Sequence, residues 1–576
     1  MVRSFRRGGF ALPDFDVVIR NGMIIDGALN PRYRGDVAIR DGLVAQTGRV
    51  RGSAVRELDA TGLVVAPGFV DLHTHYDAQV FWDPYCSLSG WHGVTSVAIG
   101  NCGFGFAPVR EAEREQAMLT LTRVEAIPLE SMRAGLPWSW ETFSGFLDAL
   151  EGTPKAVNLL PYVPVNPMLT WVLGHERAKA GVVPTDDEHA EMARLLDDAM
   201  EAGAFGWSAQ RLQPSFERSV QRDYDGTPMP SDVMNDETCR VLARVLADRN
   251  EGVIQMTLVS GDPKADGRHY EELAEISGAP VLYNVVVADD RRPAMHRGTL
   301  KWLESCQRRG LTVYGQGQTT DAGYTFTFED WNLYDDAGAW REATVGTVEE
   351  RLAKLADPAR RAGLRSDQPV SVTAPIPDLV IVRSVSAPEA EGLTVEQYAA
   401  KNSGAHPVDA MLDLAVADGL RTVFYGSPPN ADIDNLREIL ANRWVLFGVS
   451  DGGAHTKFVT SGRYPTETLV QVVREHEIVT LEEAHWRLSA LPARFAGFRD
   501  RGILREGAPA DIVAYDFENL EVLPMEVAHD FPGGEWRRVQ RAHGYRWVLV
   551  NGAITIEDDR ETATYSGALL RHGGVT

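Results

Sequence analysis

Two histidines, His73 and His75, follow the mostly apolar segment VVAPGFVDL with a single threonine between them. Side chains alternate along a β-strand, so both imidazoles would share one face, with their Cα atoms about 6.6–7 Å apart. Two imidazoles in that arrangement can bind one divalent metal ion, although histidines of a half-buried strand can also simply bond to backbone carbonyls. The turn-prone residues Tyr76 and Asp77 come next, which places the pair at the carboxyl end of a predicted strand.

A cysteine and an aspartate each follow a further apolar run. Cys102 comes after VTSVAIGN, and Asp451 comes after VLFGVS, with His455 a few residues beyond it. A thiolate at a strand end can bind zinc, and an aspartate there can take a proton from activated water and pass it to a leaving amine. Taken singly, the cysteine is equally a small residue of a tight loop, and the aspartate is equally a turn former or helix cap.

Repeated strand–helix units over residues 64–500 would bring these strand ends together. Apolar runs such as AVNLLPYV, GVIQMTLV, PVLYNVVV and LTVYGQGQ alternate with amphipathic helical stretches, for example 186–202 and 236–248. Such units form a parallel sheet with right-handed crossovers, and about eight of them close a (β/α)8 TIM barrel with its active site at the carboxyl ends of the strands. The segment 321–400 breaks this rhythm and is predicted to be an inserted lobe or lid.

Both ends of the chain carry short alternating strands with hairpin turns. The turns are predicted at three Asn-Gly or Asp-Gly dipeptides, Asn21-Gly22, Asp41-Gly42 and Asn551-Gly552, because these dipeptides favour two-residue β-turns. We therefore predict an α/β protein with a small β-sandwich domain formed by both termini, residues 14–63 and 503–565. The barrel, residues 64–502, would lie between them.

Composition limits the class of protein. The 576 residues carry 57 Lys+Arg against 81 Asp+Glu, a net charge of −24, and 44 % of them are hydrophobic. This mixture excludes a disordered or collagen-like chain, and the acidic balance argues against a nucleic-acid partner. There is no apolar run of about 18 residues and no segment typical of a signal peptide. Because the four cysteines also lack CxxC spacing, we expect a cytoplasmic protein without a membrane partner.

In combination these motifs resemble the amidohydrolase superfamily, and more closely its D-aminoacylase (N-acyl-D-amino-acid deacylase) branch. The resemblance covers most of the chain, in the order VVAPGFVDLHTHYD, WHGVTSVAIGNCGFGFAPVR, RVEAIPLE, WSWETFSGFLDAL, GVSDGGAH, RGILREGAPADIVAYD and WVLVNGAI. It implies a (β/α)8 barrel with a small β-sandwich built from both termini. It also implies a divalent metal, usually zinc, that activates water against an amide.

The resemblance assigns roles to individual residues. His73 and His75 match the metal ligands of the first strand, and Cys102 matches a cysteine ligand peculiar to this branch. Asp451 matches the last-strand aspartate, which neighbours the metal and acts as general acid and base. Glu125, in RVEAIP, matches a carboxylate of this branch and is either a further ligand or a structural partner.

Substrate binding is assigned to the loop after that aspartate. A basic residue there commonly holds the carboxylate of the substrate in this family, and Lys457 and Arg463 are the candidates in this chain. His455, in the same loop, is a further candidate for contact with the substrate.

Two strands depart from the family pattern. Relatives supply two more metal-binding histidines from the fifth and sixth strands, which here read VIQMT and VLYNV without any histidine. Gln255 and Asn284 in these strands are weaker ligands, but they can hydrogen-bond a substrate carbonyl or water. The ligands that remain are His73, His75, Cys102 and Asp451, with Glu125 as a further candidate. They predict one divalent metal, zinc, per chain rather than two, unless the metal has been lost.

The function expected is that of a metal-dependent hydrolase, which cleaves the amide C–N bond of a small N-acylated compound, such as an N-acyl (D-)amino acid, through metal-activated water. A hydrolase of cyclic or aryl amides is the alternative among enzymes, since altered fifth and sixth strands would suit another substrate. The alternative of another class is a degenerate barrel that serves as a binding subunit. The only partner expected is a small-molecule substrate. The sequence does not decide whether the chain forms a homo-oligomer.

Overall fold

Parallel β-strands form a barrel at the centre of the chain. The computed structural model describes residues 13–212, 221–288, 292–319, 323–330, 334–369, 374–402, 404–426 and 430–572. In chain order the barrel strands are β1 (Phe69–Asp71), β2 (Val94–Ile99), β3 (Asn158–Pro161, continued by Val163–Pro164), β4 (Gly206–Leu212), β5 (Val253–Val259), β6 (Val281–Val286), β7 (Val313–Gly317) and β8 (Val445–Phe447). Each strand pairs in parallel with the next, and the predicted (β/α)8 barrel is confirmed.

The barrel closes where β8 meets β1. Thr74, just after β1, forms a parallel bridge with Gly452, and the backbone N–H of His75 donates to the Gly452 carbonyl at 2.6 Å. The Ser450 hydroxyl donates to the His73 carbonyl at 2.9 Å. These bonds tie together the two loops that carry the predicted histidines and the predicted aspartate.

Helices connect the barrel strands. After β2 and β3 come Arg114–Val124, Leu129–Gly135, Phe143–Gly152, Val165–Leu173, His175–Lys179 and Asp186–Glu201. After β4, β5, β6 and β7 come Asp236–Arg249, Pro263–Ser277, Ala294–Arg308 and, just before β8, Ile433–Ala441. After β8 come Tyr464–Glu467, the π-helical Thr468–Glu475, Leu481–His485, the π-helical Trp486–Ala490 and Leu491–Phe495. Among the described residues no helix has the length and apolar character needed to cross a lipid bilayer.

Local capping fixes the start of both helices that the periodicity predicts. The Thr185 hydroxyl accepts a hydrogen bond from the backbone N–H of Glu188 at the start of Asp186–Glu201. Asn235 accepts from the backbone N–H of Glu237 at the start of Asp236–Arg249. Such caps satisfy backbone donors that have no partner inside the helix, so both predicted helices are confirmed.

The barrel interior has an apolar floor below a polar layer. One hydrophobic cluster contains the inward side chains of six strands, Val70, Ala98, Leu160, Val253, Leu282 and Leu446. Further along β5, β6 and β7 lie Gln255, Asn284 and Gln316, none of them more than 9 % exposed. Because side chains alternate along a strand, these three amides face the same interior, nearer the carboxyl ends.

The two ends of the chain combine into one β-sheet. Its strands are Phe15–Ile24, Tyr33–Arg40, Leu43–Gly48, Ala54–Asp59, Val64–Pro67, Ile512–Tyr515, Tyr545–Val550, Ala553–Glu557 and Arg560–Glu561. The halves join where Ile512–Tyr515 pairs antiparallel with Val64–Pro67, which confirms a small β domain built from both termini. Two short ladders extend its C-terminal part, Glu521–Val522 with Ala542–His543 and Glu526–Ala528 with Arg537–Val539.

The Asn21-Gly22 dipeptide does not form the predicted hairpin. The strand Phe15–Ile24 continues through it with a bulge, so that prediction is wrong. A Cβ atom on Gly22 would lie 2.6 Å from Cγ2 of Val65, and close packing of neighbouring strands therefore requires glycine at this bulge. The other two predicted turns, Asp41-Gly42 and Asn551-Gly552, do close antiparallel hairpins.

A lobe between β7 and β8 has a sheet and a hydrophobic core of its own. Its antiparallel strands are Tyr324–Phe326, Val380–Arg383 and Val423–Gly426, and its helices are Gly338–Thr344, Val348–Ala356, Arg361–Ser366, Val395–Lys401 and Pro407–Ala417. Its aromatic core includes Phe326, Phe328, Tyr334, Trp340 and Phe424. The sheet continues past residue 400 because Val423–Gly426 is its central strand. Within the predicted segment, residues 321–322, 331–333 and 370–373 lie outside the described residues.

Candidate metal centre

The predicted ligands His73, His75 and Cys102 come together at the carboxyl end of the barrel. Their ligand atoms all lie within 4.8 Å of one another, and Cys102 Sγ is 3.4 Å from His73 Nε2. All three residues are at most 5 % exposed. Across the described ranges, no other group of three or more His, Cys, Asp or Glu side chains meets this criterion. The ends of the neighbouring strands β1 and β2 thus supply one buried set of nitrogen and sulfur donors.

Asp451 lies at the rim of this cluster. Its Oδ1 atom is 3.2 Å from His73 Nε2 and 3.9 Å from His75 Nε2. Its side chain is 32 % exposed, against 2 % for His73 and 4 % for His75. A molecule that enters from solvent therefore meets the aspartate before it meets the histidines, and the carboxylate can contact both the cluster and that molecule.

Three residues of the site adopt a left-handed backbone conformation. The φ angles are 57° at Cys102, 47° at Asp451 and 49° at His455. This conformation costs residues other than glycine of the order of 1 kcal/mol or more each, and it persists where the surrounding structure imposes it. The loops after β2 and β8 thus hold these side chains against the local preference of the backbone.

Gln316, at the carboxyl end of β7, fixes the orientation of His73. Its Oε1 atom lies 3.1 Å from His73 Nδ1. An amide oxygen can only accept a hydrogen bond, so Nδ1 carries the proton and Nε2 is left to bind a metal. Gln316 is not among the residues predicted from the sequence, although it lies at the end of the apolar run LTVYGQGQ, the same signal that indicated the other ligands.

Charge is distributed unevenly over the cluster. Burial, together with the positive charge of His73, lowers the pKa of His75 to about 3. Burial also acts to lower the pKa of His73, but the Cys102 thiolate and the Asp451 carboxylate outweigh it and raise that pKa well above its ordinary value. The pKa of Asp451 would rise through burial, yet its hydrogen bond to His73 and the charges of the nearby histidines hold it below its usual range. Burial also raises the pKa of Cys102, and the positive charge of His73 only partly offsets this rise. The site therefore pairs a positive charge on His73 with the carboxylate of Asp451.

These residues fit a divalent metal. Two imidazoles and a thiolate form a donor set that zinc commonly occupies. The cation would take the place of the proton that His73 now holds between Cys102 and Asp451, because metal ligands bind in their deprotonated forms.

Residues of β5 and β6 hold Cys102 in place. Gln255 Oε1 accepts a hydrogen bond from the Cys102 backbone N–H at 2.8 Å. Thr257 Oγ1 lies 3.8 Å from Cys102 Sγ and accepts from Asn284 Nδ2 at 2.9 Å. The strands that lack histidines therefore contribute hydrogen bonds around the cysteine. Thr257 is a second residue that the sequence analysis did not single out.

Glu125 bridges two histidines beside the cluster. Its Oε2 atom is 3.6 Å from His75 Nε2 and 3.4 Å from His455 Nε2. Burial, reinforced by the charge of Asp451, raises the pKa of Glu125 well above its ordinary value. The backbone N–H of His455 also donates to the Glu125 carbonyl at 2.6 Å. Glu125 thus joins the loop after β8 to the loop after β1, and its role as a direct metal ligand stays a prediction.

The two basic residues predicted to hold the substrate are both paired with carboxylates of the protein. Lys457 Nζ lies 2.6 Å from Asp330 Oδ1 and 2.9 Å from Glu535 Oε2. Arg463 Nε lies 2.9 Å from Glu467 Oε2. Their part in binding a substrate carboxylate stays a prediction.

The first strand of the lobe carries Tyr324, which is affected by the charge of Asp451. Burial raises the pKa of Tyr324, and the negative charge of Asp451 raises it further. The lobe is also tied to the loop after β8, since the Thr325 backbone N–H donates to the Phe458 carbonyl at 3.1 Å. The first strand of the lobe is therefore hydrogen-bonded to the loop that carries Asp451.

Comparison with known proteins places this site in a family. Residues 56–556 match the model of the Amidohydrolase family. The D-aminoacylase of Alcaligenes xylosoxydans xylosoxydans is 27 % identical over 571 residues, which cover 96 % of this chain and 97 % of that protein. The N-acyl-D-glutamate deacylase of the same organism is 28 % identical over 517 residues, which cover 88 % of each.

A solved structure shows the same fold. The N-acyl-D-glutamate deacylase from Bordetella bronchiseptica, complexed with zinc and a phosphonate inhibitor, aligns with a TM-score of 0.66 over 97 % of this chain and 99 % of that chain, at 24 % identity. From the family match and the relatives along nearly its whole length, the chain belongs to the Amidohydrolase family, in its D-aminoacylase branch, and is a metal-dependent hydrolase of carbon–nitrogen bonds other than peptide bonds.

Proposed function

We propose that the protein hydrolyses the amide bond of N-acyl amino acids and uses one zinc ion per chain, held by His73, His75 and Cys102. The observation that carries this proposal is the buried cluster of these three side chains with Asp451 at its exposed rim. The substrate class is supported by relatives named D-aminoacylase, N-acyl-D-aspartate deacylase and N-acyl-D-glutamate deacylase.

The ligands that would hold the metal are His73 through Nε2, His75 and Cys102 through Sγ. When bound, a divalent metal supplies Lewis acidity, which activates water at neutral pH and polarises an amide carbonyl. A single ion is proposed because β5 and β6 present Gln255 and Asn284 at the site, and these amides are already hydrogen-bonded to Cys102 and Thr257.

Asp451 moves the proton in this mechanism. Its lowered pKa keeps the carboxylate ionised at neutral pH, so it can accept a proton from the attacking water. As the C–N bond breaks, the same carboxyl group returns that proton to the departing nitrogen. Asp451 Oδ1 lies 3.2 Å from His73 Nε2, so the carboxylate is already beside the atom that would bind the metal. The partial exposure of Asp451 leaves room for the substrate.

Metal content is the first test. Protein purified without chelators is expected to contain about one zinc ion per chain by elemental mass spectrometry, and the double variant His73→Ala/His75→Ala is expected to lose it. The matched control is His529→Ala/His543→Ala, since both of these histidines are exposed. Two ions per chain would overturn the single-metal proposal. Absence of metal even after zinc is added back would overturn the hydrolytic mechanism.

A substrate panel tests the reaction. We expect zinc-loaded protein to hydrolyse N-acetylated amino acids, with the D- and L-forms assayed separately. Turnover confined to hydantoins or anilides would favour the cyclic-amide or aryl-amide alternative. A zinc-loaded protein that hydrolyses none of these compounds would have to be regarded as a binding subunit.

A further inference from the structure

Gln255 presents an unsatisfied donor beside Cys102. The backbone N–H of Cys102 can only donate, so it selects the oxygen end of the Gln255 amide, Oε1, at 2.8 Å. The nitrogen end therefore points elsewhere, and among the described residues Nε2 has no hydrogen-bond partner although the side chain is fully buried.

Asn284 presents an unsatisfied acceptor on the neighbouring strand. Its Nδ2 atom donates to Thr257 Oγ1 at 2.9 Å, and this hydroxyl lies 3.8 Å from Cys102 Sγ. Because Thr257 Oγ1 accepts from the nitrogen end of the Asn284 amide, the oxygen end, Oδ1, points away from Thr257. The Oδ1 atom of Asn284 is buried and finds no donor within the described part of the chain.

The two unsatisfied atoms belong to one patch of the barrel wall. Thr257 and Asn284 are paired residues in the β5–β6 register, and Gln255 precedes Thr257 on the same face of β5. A buried polar atom without a partner is unfavourable, and such atoms in a native site call for an explanation. Here the patch offers one donor and one acceptor next to a metal ligand.

A secondary amide has the complementary pair of groups, a carbonyl that accepts and an N–H that donates. We propose that Gln255 Nε2 binds the acyl carbonyl of the substrate and that Asn284 Oδ1 binds its amide N–H. The pair would thereby restrict the enzyme to amides that carry an N–H and disfavour N-alkylated amides and esters. This inference rests on the proposed function and narrows its substrate class.

The contact between Asn284 and the substrate N–H is tested by assaying one variant with two substrates. The substrates are an N-acetyl amino acid that the zinc-loaded enzyme hydrolyses and its N-methyl counterpart, which lacks only the N–H. Asn284→Leu removes the acceptor, and we expect it to lower kcat/KM for the first substrate about 10–100-fold while leaving the second within about threefold. Asn284→Ala gives the same comparison without adding bulk, should leucine disturb folding.

The contact with the carbonyl is tested at Gln255. Gln255→Glu keeps the oxygen that accepts from Cys102 but removes the donor, and the zinc content of the variant is measured alongside its activity. We expect kcat/KM to fall for both substrates, since both contain the carbonyl, with the zinc content unchanged. Gln46→Glu, in the β domain, is the matched control and is expected to change neither quantity.

The outcomes separate the two proposals. If kcat/KM fell equally for both substrates in the Asn284 variants, the proposed hydrogen bond between Asn284 and the substrate N–H would be overturned. The proposed hydrolysis would stand. Full activity of Gln255→Glu would overturn the carbonyl contact. Failure of the zinc-loaded wild-type protein to hydrolyse any N-acyl amino acid would overturn the proposed function and this inference together.

Discussion

The Nδ1 atom of His73 lies 3.1 Å from the Oε1 atom of Gln316, a residue of the seventh barrel strand. The opposite nitrogen, Nε2, faces Cys102 Sγ at 3.4 Å and Asp451 Oδ1 at 3.2 Å. An amide on one side of the barrel therefore determines which nitrogen a histidine on another strand offers to the metal.

This relationship predicts the effect of changing Gln316. Gln316→Leu removes the acceptor and is expected to weaken zinc binding about 10–100-fold, the usual cost of losing a partner of a ligating histidine. Gln316→Glu keeps the acceptor and is expected to bind zinc at least as well as the wild type. Competition with a chelator measures both affinities. Unchanged affinity in Gln316→Leu would show that the orientation of His73 is set by other contacts.

Cys102 is expected to bind the metal through sulfur. Cobalt-substituted protein should show sulfur-to-metal charge-transfer absorption, which Cys102→Ser abolishes because a hydroxyl is a harder and much weaker ligand than a thiolate. Zinc affinity should fall in the same variant. Cys306→Ser serves as the control, since Cys306 is a buried cysteine of the helix Ala294–Arg308 and is not part of the ligand group. Charge-transfer absorption that survives in Cys102→Ser would contradict the assignment.

Asp451 is expected to transfer protons during the reaction and to contribute little to metal affinity. Asp451→Asn should lower kcat about 10²–10⁴-fold, the usual contribution of a positioned acid–base group, while about one zinc ion per chain is retained. Steady-state kinetics and elemental mass spectrometry on the same preparation give both quantities. If the variant lost its zinc, the aspartate would have to be counted first as a ligand.

Lys457 is expected to join the lobe to the rest of the molecule. Its ammonium group contacts Asp330 of the lobe and Glu535 of the C-terminal segment, and Lys457→Met would leave both carboxylates without this partner. We expect faster amide hydrogen exchange in residues 323–330 and 535–538, because loss of the ion pairs favours local opening.

The same variant tests the sequence-based role of Lys457. If Lys457 instead held the carboxylate of the substrate, Lys457→Met would raise KM for an N-acyl amino acid but not for its neutral, carboxamide-capped counterpart. Arg463→Met is the matched comparison, because Arg463 is the other basic residue predicted for that role. A charge-selective rise in KM in one variant alone would identify the residue responsible.

The hydrogen bonds of the Asp418 carboxylate predict that the stability of the lobe depends on pH. Burial raises its pKa, but hydrogen bonds from Thr422, Ser384 and Ser386 outweigh burial and lower it to about 2. Because the folded pKa lies below the ordinary value of about 3.9, the ionised form stabilises the lobe above about pH 4, and this contribution is lost as the pH falls toward 2.

The corresponding variant is Asp418→Asn. At neutral pH it should destabilise the lobe by about 1–3 kcal/mol, and its difference from the wild type should shrink on acidification below about pH 4. Hydrogen exchange of residues 374–402 and 404–426 at several pH values measures the effect. Asp378→Asn, at an exposed position of the lobe, is the control. A difference that stays constant down to pH 3 would contradict the assignment.

Local sequence patterns are sufficient to predict the class of fold and the core of the site. Apolar runs that alternate with amphipathic helices specify a parallel barrel, and the carboxyl ends of its strands converge. His73, His75, Cys102 and Asp451 could therefore be placed together from their local position at strand ends alone. The absence of histidines from β5 and β6 is likewise visible in the local sequence.

The contacts that hold these residues in place could not be predicted in this way. The contact of Gln316 with His73, the pairing of Lys457 with Asp330, and the packing of Gly22 against Val65 each join residues that are distant in sequence. Such contacts depend on barrel closure, strand register and the docking of the lobe. A local pattern carries none of this information, because the same residues satisfy the same periodicity whichever partners the folded chain brings to them.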